Sequence, residues 1–226
     1  MAEAWMPGAE RLGGGTSTRT PPGAGAPRAV WTVTGSDPRA WSAREEAQRL
    51  VDEERATHLV WNPLTGDVVQ TLAATRRGRL ALGSTRQYEL DLDHGHEGRV
   101  CLVVAVVSSW ETSFTDGPMR GLSPILAWLD SWGVERVWHA APPGPETRTA
   151  EAGAHPAAAP HAAEAARAAR TARAWARGGH FGHDQVPGSS AKGPGRLDTA
   201  RLLATGLVPH PGGPRTPTQP RPSAMR

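Results

Sequence analysis

The pattern of hydrophobic and polar positions predicts a domain of alternating strands and helices. The most apolar run covers residues 100–107, and its length and β-branched content are typical of a strand buried on both faces. Residues 122–132 repeat leucine and isoleucine at helical spacing before Gly133, which indicates a helix. Shorter apolar runs bounded by turn residues predict the other strands, at 29–34, 57–61, 68–72 and 134–138.

The order of these segments along the chain predicts the fold class. Ser42 and Glu45 match a capping box, which opens a helix running to about residue 54. The strands at 57–61 and 68–72 form a hairpin, because the proline and glycine between them favour a turn. We therefore expect an α/β domain with a mixed central β-sheet of four or five strands, flanked by helices.

Three segments rich in Gly, Pro and Ala interrupt this pattern. We expect a disordered leader over 1–27, a domain over 28–207 with an insertion at 140–160, and a disordered tail over 208–226. The insertion leads into an Ala/Arg helix at 161–177, whose one large apolar residue is Trp175. Its arginines recur every three or four residues, a face that is either solvated or binds an acidic partner.

Charge and cysteine content narrow the classes of partner and site. The net charge is +3 and no basic cluster is interleaved with aromatic residues, so we do not expect a nucleic-acid partner. Cys101 is the one cysteine, which excludes an intrachain disulfide and a CxxC zinc site. No apolar run approaches the roughly 18 residues of a membrane span. No secretory apolar region follows Met1, so a cytoplasmic location is expected unless the chain is exported by another route.

Candidate chemistry is concentrated in the glycine-rich stretch 178–187, which holds His180 and His183. Interior glycines cost a helix about 1 kcal/mol each relative to alanine, so this stretch is expected to be a loop. Histidines held on loops are candidate metal ligands or proton carriers, and the alternative is that both are plain surface residues.

The same loop carries a family resemblance. Its motif is Gly182-His183-x-Gln185-Val186-Pro187, followed by Pro194-Gly195 and Asp198. This motif resembles the C-terminal signature of zinc N-acetylmuramoyl-L-alanine amidases, a group that includes phage endolysins and the peptidoglycan recognition proteins. The run 175–183 is especially similar to the endolysin branch, and the hairpin at 58–70 is similar to the family's second and third strands.

The resemblance covers about residues 29–205, with 140–170 as an insertion, and implies an amidase-like fold. It also implies a zinc cofactor and peptidoglycan or a muropeptide as the partner. Family members hydrolyse the amide that joins the lactyl group of muramic acid to the first alanine of the stem peptide. Their zinc is held by two histidines and an Asp or Cys, with a fourth position open for water.

Transferring the family's ligands residue by residue leaves two positions without a donor of the expected type. The second histidine ligand maps onto His183. The first ligand position falls at Thr32 or Val33, and the third falls at Gly193. The acid that other members carry on the central strand falls near Ala105. A single imidazole does not hold zinc at cellular concentrations.

Other residues near the expected site could take over these roles. Four are candidate replacement ligands: His58, His180, Asp184 and Asp198. Apart from that role, we expect His58, Gln70 and Gln185 to line the cleft.

Three hypotheses follow. The count of ligands favours a catalytically degenerate amidase-like domain, a pseudoenzyme that retains at most muropeptide binding. The first alternative is an active amidase with a rebuilt zinc site. The second alternative is an Arg-rich interaction protein that acts through the helix at 161–177.

Overall fold

The computed structural model describes residues 2–15, 25–87, 90–96, 100–141 and 160–205. The predicted tail and most of the predicted insertion lie outside these residues. The described strands form one sheet of six strands and one of two. The six strands are β1 (Glu10–Arg11), β2 (Arg28–Val33), β3 (Leu59–Trp61), β4 (Val68–Gln70), β7 (Cys101–Val106) and β8 (Gly179–Gly182), and the small sheet pairs β5 (Ser84–Gln87) with β6 (Leu90–Asp93).

The large sheet has the order β1-β4-β3-β7-β2-β8. Its centre is parallel, because β7 pairs in parallel with both β2 and β3, and β8 pairs in parallel with β2. The predicted hairpin is present as the antiparallel pair of β3 and β4. The mixed α/β sheet is thus confirmed, with six strands in place of the predicted four or five.

The difference in strand count arises at the two edges of the sheet. The predicted strand at 134–138 is irregular, and β8 takes the place next to β2. The irregular segment crosses close to β8, where His180 N–H donates to the Val137 carbonyl at 2.9 Å. Gly179 has a φ of +87°, and a Cβ there would press against that same carbonyl, so glycine permits the approach.

At the opposite edge of the sheet, residues 2–15 are ordered, in contrast to the expected disordered leader. Residues 2–15 are folded onto the domain, and β1 pairs with β4. The buried Gln70 side chain holds this segment, because it accepts from Met6 N–H at 2.5 Å and donates to the carbonyls of Ala4 (2.9 Å) and Leu72 (2.8 Å). Met6 is 4% exposed and belongs to the main core. A few apolar and hydrogen-bonded positions therefore order a segment whose overall composition is typical of disorder.

Helices cover both faces of the sheet. Helix α1 (Ala43–Asp52) begins at the predicted capping box. On one face, Trp31, Leu102 and Val104 share a core with α2 (Leu122–Ser131) and α4 (Thr199–Ala204). On the other face lie α1 and α3 (Pro160–Arg177). Because side chains alternate along β2 and β7, each of these strands contributes to a core on both faces of the sheet.

Helix α3 is docked at its C-terminal end, as the sequence indicates. Trp175 is buried against Phe181, with ring centroids 4.9 Å apart, and the Arg28 guanidinium lies 4.8 Å from the Trp175 ring centroid. Residues 164–170 are exposed on every side of the helix. None of the helices in the described ranges is long and apolar enough to cross a membrane.

Candidate functional site

The register of β2 and β8 brings two of the expected ligand positions together. Trp31 lies opposite Gly182, the last residue of β8, so Thr32 lies beside the point where the chain leaves β8 and continues into His183. Val30 and Phe181 share one core cluster, and Thr32 lies on the same face as Val30 because side chains alternate along a strand. The first and second ligand positions are therefore neighbours at the carboxyl ends of their strands.

The His183 side chain is turned toward the backbone of the chain segment before β5. Its Nε2 lies 3.0 Å from the Ala81 carbonyl oxygen and 3.1 Å from that of Leu82. Carbonyl oxygens only accept hydrogen bonds, so Nε2 carries the proton and Nδ1 holds the free lone pair. Burial lowers the pKa of His183, and its backbone hydrogen bonds oppose that shift only in part. The ring is thus neutral near pH 7 and offers one donor atom to a metal.

The third ligand position is occupied in space by a different residue. Gly193 is buried, and a Cβ placed on it would overlap the carboxyl group of Asp184. The same carboxyl group lies close to Gly182. The carboxylate nearest the third position therefore comes from the residue directly after His183, and residue 193 has no room for a side chain while Asp184 keeps this position.

His58 is buried and its two ring nitrogens are both engaged by the backbone. Nδ1 accepts from Val103 N–H at 3.0 Å, and Nε2 donates to the Arg76 carbonyl at 2.9 Å. Burial lowers the pKa of His58 from 6.5 to about 4. The ring lies in the interior and not on a cleft wall, and it would have to break a backbone hydrogen bond to reach a metal.

His180 is buried on the opposite face of the sheet from Thr32. Its Nδ1 accepts from Trp31 Nε1 at 2.9 Å, and the two rings are stacked with centroids 6.0 Å apart. Burial, with a smaller contribution from the positive charge of Arg136, lowers the pKa of His180 to about 3. Because successive residues of β8 face opposite sides, the ring points away from the Thr32 face.

The remaining candidates have structural roles. Gln70 is buried and clamps residues 4–6, and Asp198 caps α4 by accepting from Arg201 N–H at 2.8 Å. Gln185 accepts from Trp138 Nε1 and Gly182 N–H, both at 2.9 Å, and donates to the Ala141 carbonyl. Of the three expected cleft residues, Gln185 alone lies near the surface.

The donor set does not fit a zinc site with three protein ligands. Within the described ranges, no three His, Cys, Asp or Glu side chains are grouped closely enough to hold a metal ion. Thr32 and Gly193 supply neither an imidazole nor a carboxylate, and His183 offers one nitrogen. A catalytic zinc needs three such ligands and an open position.

A cavity of about 380 Å³ lies next to His183. The Asp93 carboxylate on its wall pairs with Arg77 and accepts from Gly95 N–H at 2.8 Å. No motif in the sequence marks this wall, because residues 81–84 and Asp93 lie far before His183 in the chain and meet it only in the folded domain. Other lining residues are Leu82, Ser84, Ser189 and Ala191.

No protein-family model matches the chain, and the search of curated proteins gives no match. Three solved structures are similar to it, each at 14% identity. They are the Staphylococcus aureus hydrolase AmiA in complex with its ligand (59% of this chain, 60% of that chain, TM-score 0.40), a selenomethionine derivative of AmpD (56%, 75%, 0.38), and the Ph2119 endolysin from the Thermus scotoductus MAT2119 bacteriophage Ph2119 (84%, 89%, 0.42).

The aligned part of this chain thus spans only 60% of the length of AmiA. Any activity or ligand has to follow from the side chains of this chain.

Proposed function

We propose that this chain is a degenerate peptidoglycan amidase-like domain, which binds muropeptides and does not hydrolyse them. One observation carries the proposal: the three expected ligand positions, Thr32, His183 and Gly193, supply a single imidazole. That imidazole is held by two backbone carbonyls through Nε2 and offers one lone pair.

Three positions where a proton acceptor could be expected, at Ala105, His58 and His180, support the loss of hydrolysis. A water molecule attacks an amide at neutral pH only when a metal or a base activates it. Ala105, where the family's acid is expected, is buried and packs on the α1 side of the sheet. His58 and His180 are buried, and burial holds the pKa of each far below neutrality. Neither ring is placed to take a proton from a bound water.

The cavity beside His183 supports the retention of binding. Its volume suits a short peptide, and its walls combine apolar Leu82 and Ala191 with the hydroxyls of Ser84 and Ser189. The ion pair of Asp93 and Arg77 adds polar groups of both signs. Peptide amides and carboxylates both find partners in such a wall.

Calorimetry with muramyl dipeptide, which contains the muramoyl–L-alanine amide, tests both halves of the proposal. We expect binding that is unchanged by EDTA, and no released dipeptide by chromatography. Ala191→Trp fills the cavity and should weaken binding by about tenfold or more, equivalent to 1.4 kcal/mol. Ala200→Trp, at an exposed position on α4, is the matched control. Zinc-dependent release of the dipeptide would contradict the claim that the chain does not hydrolyse muropeptides. Equal binding by both variants would contradict the claim that the ligand binds in this cavity.

A second candidate is an active amidase with a rebuilt zinc site. The position of the Asp184 carboxylate favours it, because that group lies where a side chain at residue 193 would begin. Asp184 and His183 together would supply two ligands, and a third would have to come from a group that moves. About one zinc per chain, lost in His183→Ala, would support this candidate.

A further inference from the structure

Helix α3 carries the excess positive charge of the chain. Its four arginines and one glutamate give the helix a net charge of +3, which equals the net charge of the whole sequence, so the charges of all other residues balance. None of these arginines lines the cavity beside His183. All four have exposed side chains, and together they form what we call the arginine face: Arg167, Arg170, Arg173 and Arg177.

The arginine face is a single row along one side of the helix. At about 100° of rotation and about 1.5 Å of rise per residue, the four arginines fall within an arc of about 120° and extend over about 15 Å of the helix axis. Trp175, which is buried and docks the helix, lies about 140° from the centre of this arc. The row of arginines is therefore turned away from the core of the domain.

This arrangement of charge destabilises the helix. Successive arginines of the row are three or four residues apart, a spacing at which like charges on a helix repel each other. Helices in proteins owe most of their stability to packing, yet residues 164–170 are exposed on every side of α3. A partner with negative charges at the same spacing would relieve the repulsion and add the missing contacts.

The composition of the arginine face narrows the class of partner. Trp175 is the one large apolar residue of α3 and it is buried, so the exposed face offers no apolar group to enter a bilayer and no aromatic ring on which the bases of a single strand could stack. A helix in the major groove of a duplex has a phosphate strand on either side, whereas these arginines form one row. One row of guanidinium groups matches one row of carboxylates, such as an acidic helix presents at a spacing of three or four residues.

We propose that α3 binds an acidic helical segment of a partner protein through its arginine face. The carboxylates of the partner helix accept charge-assisted hydrogen bonds from the four guanidinium groups. The residues between the arginines are alanine and threonine apart from the buried Trp175, so short side chains allow the two helices to lie close together. This surface is separate from the peptide cavity of the proposed function, because no residue of α3 lines that cavity.

The test uses a fluorescently labelled, alanine-based peptide with four glutamates spaced three, three and four residues apart. It is titrated with the full chain at physiological ionic strength, where charges elsewhere on the surface are largely screened, and binding is followed by fluorescence anisotropy. We expect saturable binding that weakens by about tenfold or more when all four ion pairs are lost. The variant that removes them combines Arg167→Gln, Arg170→Gln, Arg173→Gln and Arg177→Gln.

A matched control removes four exposed arginines that lie outside α3. It combines Arg39→Gln, Arg44→Gln, Arg120→Gln and Arg196→Gln, so its net charge equals that of the α3 variant. The control should bind the peptide as wild type does. Glutamine is a good helix former, so the α3 variant should keep its helix, and circular dichroism checks this.

Two further probes test the geometry and the class of the partner. A second peptide has the same composition, with its four glutamates distributed around the helix, and should bind about tenfold or more weakly than the first. Equal binding of the two peptides would overturn the match between the two rows of charge. Tighter binding of duplex DNA than of the first peptide would make nucleic acid the partner and overturn the proposal. So would wild type that does not bind the first peptide, or equal losses of affinity in the α3 variant and the control.

Discussion

The carboxyl group of Asp184 fills the space beside the backbone of Gly193. A side chain at residue 193 and the present position of Asp184 exclude each other, because their atoms would overlap. Asp184 directly follows His183, so this carboxylate and the expected third ligand position lie within the same few ångströms. Building a set of three ligands therefore requires more than substitutions at residues 32 and 193.

Adding ligands at positions 32 and 193 should create zinc binding if Asp184 is removed at the same time. Thr32→His with Gly193→Asp and Asp184→Ala provides two histidines and one carboxylate, the set that a catalytic zinc requires. We expect about one zinc per chain in this triple variant, measured by elemental analysis after dialysis.

The double variant that keeps Asp184 is the informative comparison. It should bind less zinc and melt at a lower temperature, because the new side chain at 193 competes with the carboxyl group of Asp184. Adding His183→Ala to the triple variant should abolish binding. A triple variant with no more zinc than wild type would show that the three positions do not converge.

Acid should destabilise the fold through its buried histidines. The pKa values of His58 and His180 are about 4 and about 3 in the folded chain, against 6.5 as the ordinary value. Below pH 6.5 the unfolded chain binds protons at these residues that the folded chain does not, so stability falls as the pH drops from 6.5 toward 4. At pH 5 the loss is about 2 kcal/mol for each histidine relative to pH 8.

Urea unfolding at pH 8 and pH 5 measures this loss. His58→Gln keeps an acceptor for Val103 N–H and a donor for the Arg76 carbonyl, and it does not titrate. We expect its stability to change with pH by about 2 kcal/mol less than that of wild type. An unchanged pH dependence in this variant would mean that His58 is protonated in the folded chain.

The N-terminal segment should contribute to stability through Gln70. Gln70→Ala removes three hydrogen bonds, to Met6, Ala4 and Leu72, and leaves buried backbone groups without partners. We expect a loss of about 3 kcal/mol in the free energy of unfolding. Gln48→Ala, at an exposed position on α1, should cost about 0.5 kcal/mol or less. Equal losses of unfolding free energy in the two variants would show that the Gln70 hydrogen bonds do not stabilise the N-terminal segment.

Helix α3 should depend on Trp175 for its attachment to the domain. Trp175 is its one buried side chain in the described part of the helix, so Trp175→Ala removes the contact with Phe181 and is expected to cost about 3–5 kcal/mol locally. Faster proteolysis within 164–177 than in wild type is the expected result. Proteolysis at the wild-type rate would contradict docking of the helix through Trp175.

Much of the central sheet could be predicted from sequence, because β2, β3, β4 and β7 are apolar runs with clear turns between them. The capping box at Ser42 and the helix after Gly121 also follow local rules. Strand β8 could not be predicted, since Gly179 and Gly182 disfavour a strand on their own and pairing with β2 decides its conformation.

For the candidate site, too, one part can be read from the sequence and another part depends on tertiary contacts. His183 is marked out in the sequence by its motif, but its hydrogen bonds to Ala81 and Leu82 depend on a segment about a hundred residues earlier in the chain. Burial of His58 and the packing of Asp184 against Gly193 likewise arise from tertiary contacts. The motif therefore marks out residues 178–187, but the expectation of a loop there is wrong for Gly179–Gly182, which form β8 by pairing with β2. Contacts across the chain decide which chemistry the side chains of this stretch can perform.

Zinc content decides whether His183 is part of a metal site. Wild type and His183→Ala are each incubated with one equivalent of zinc, dialysed and analysed for the metal. We expect wild type to retain no more zinc than the variant, because three ligands do not converge. About one zinc per wild-type chain, absent from the variant, would contradict it and establish a rebuilt metal site.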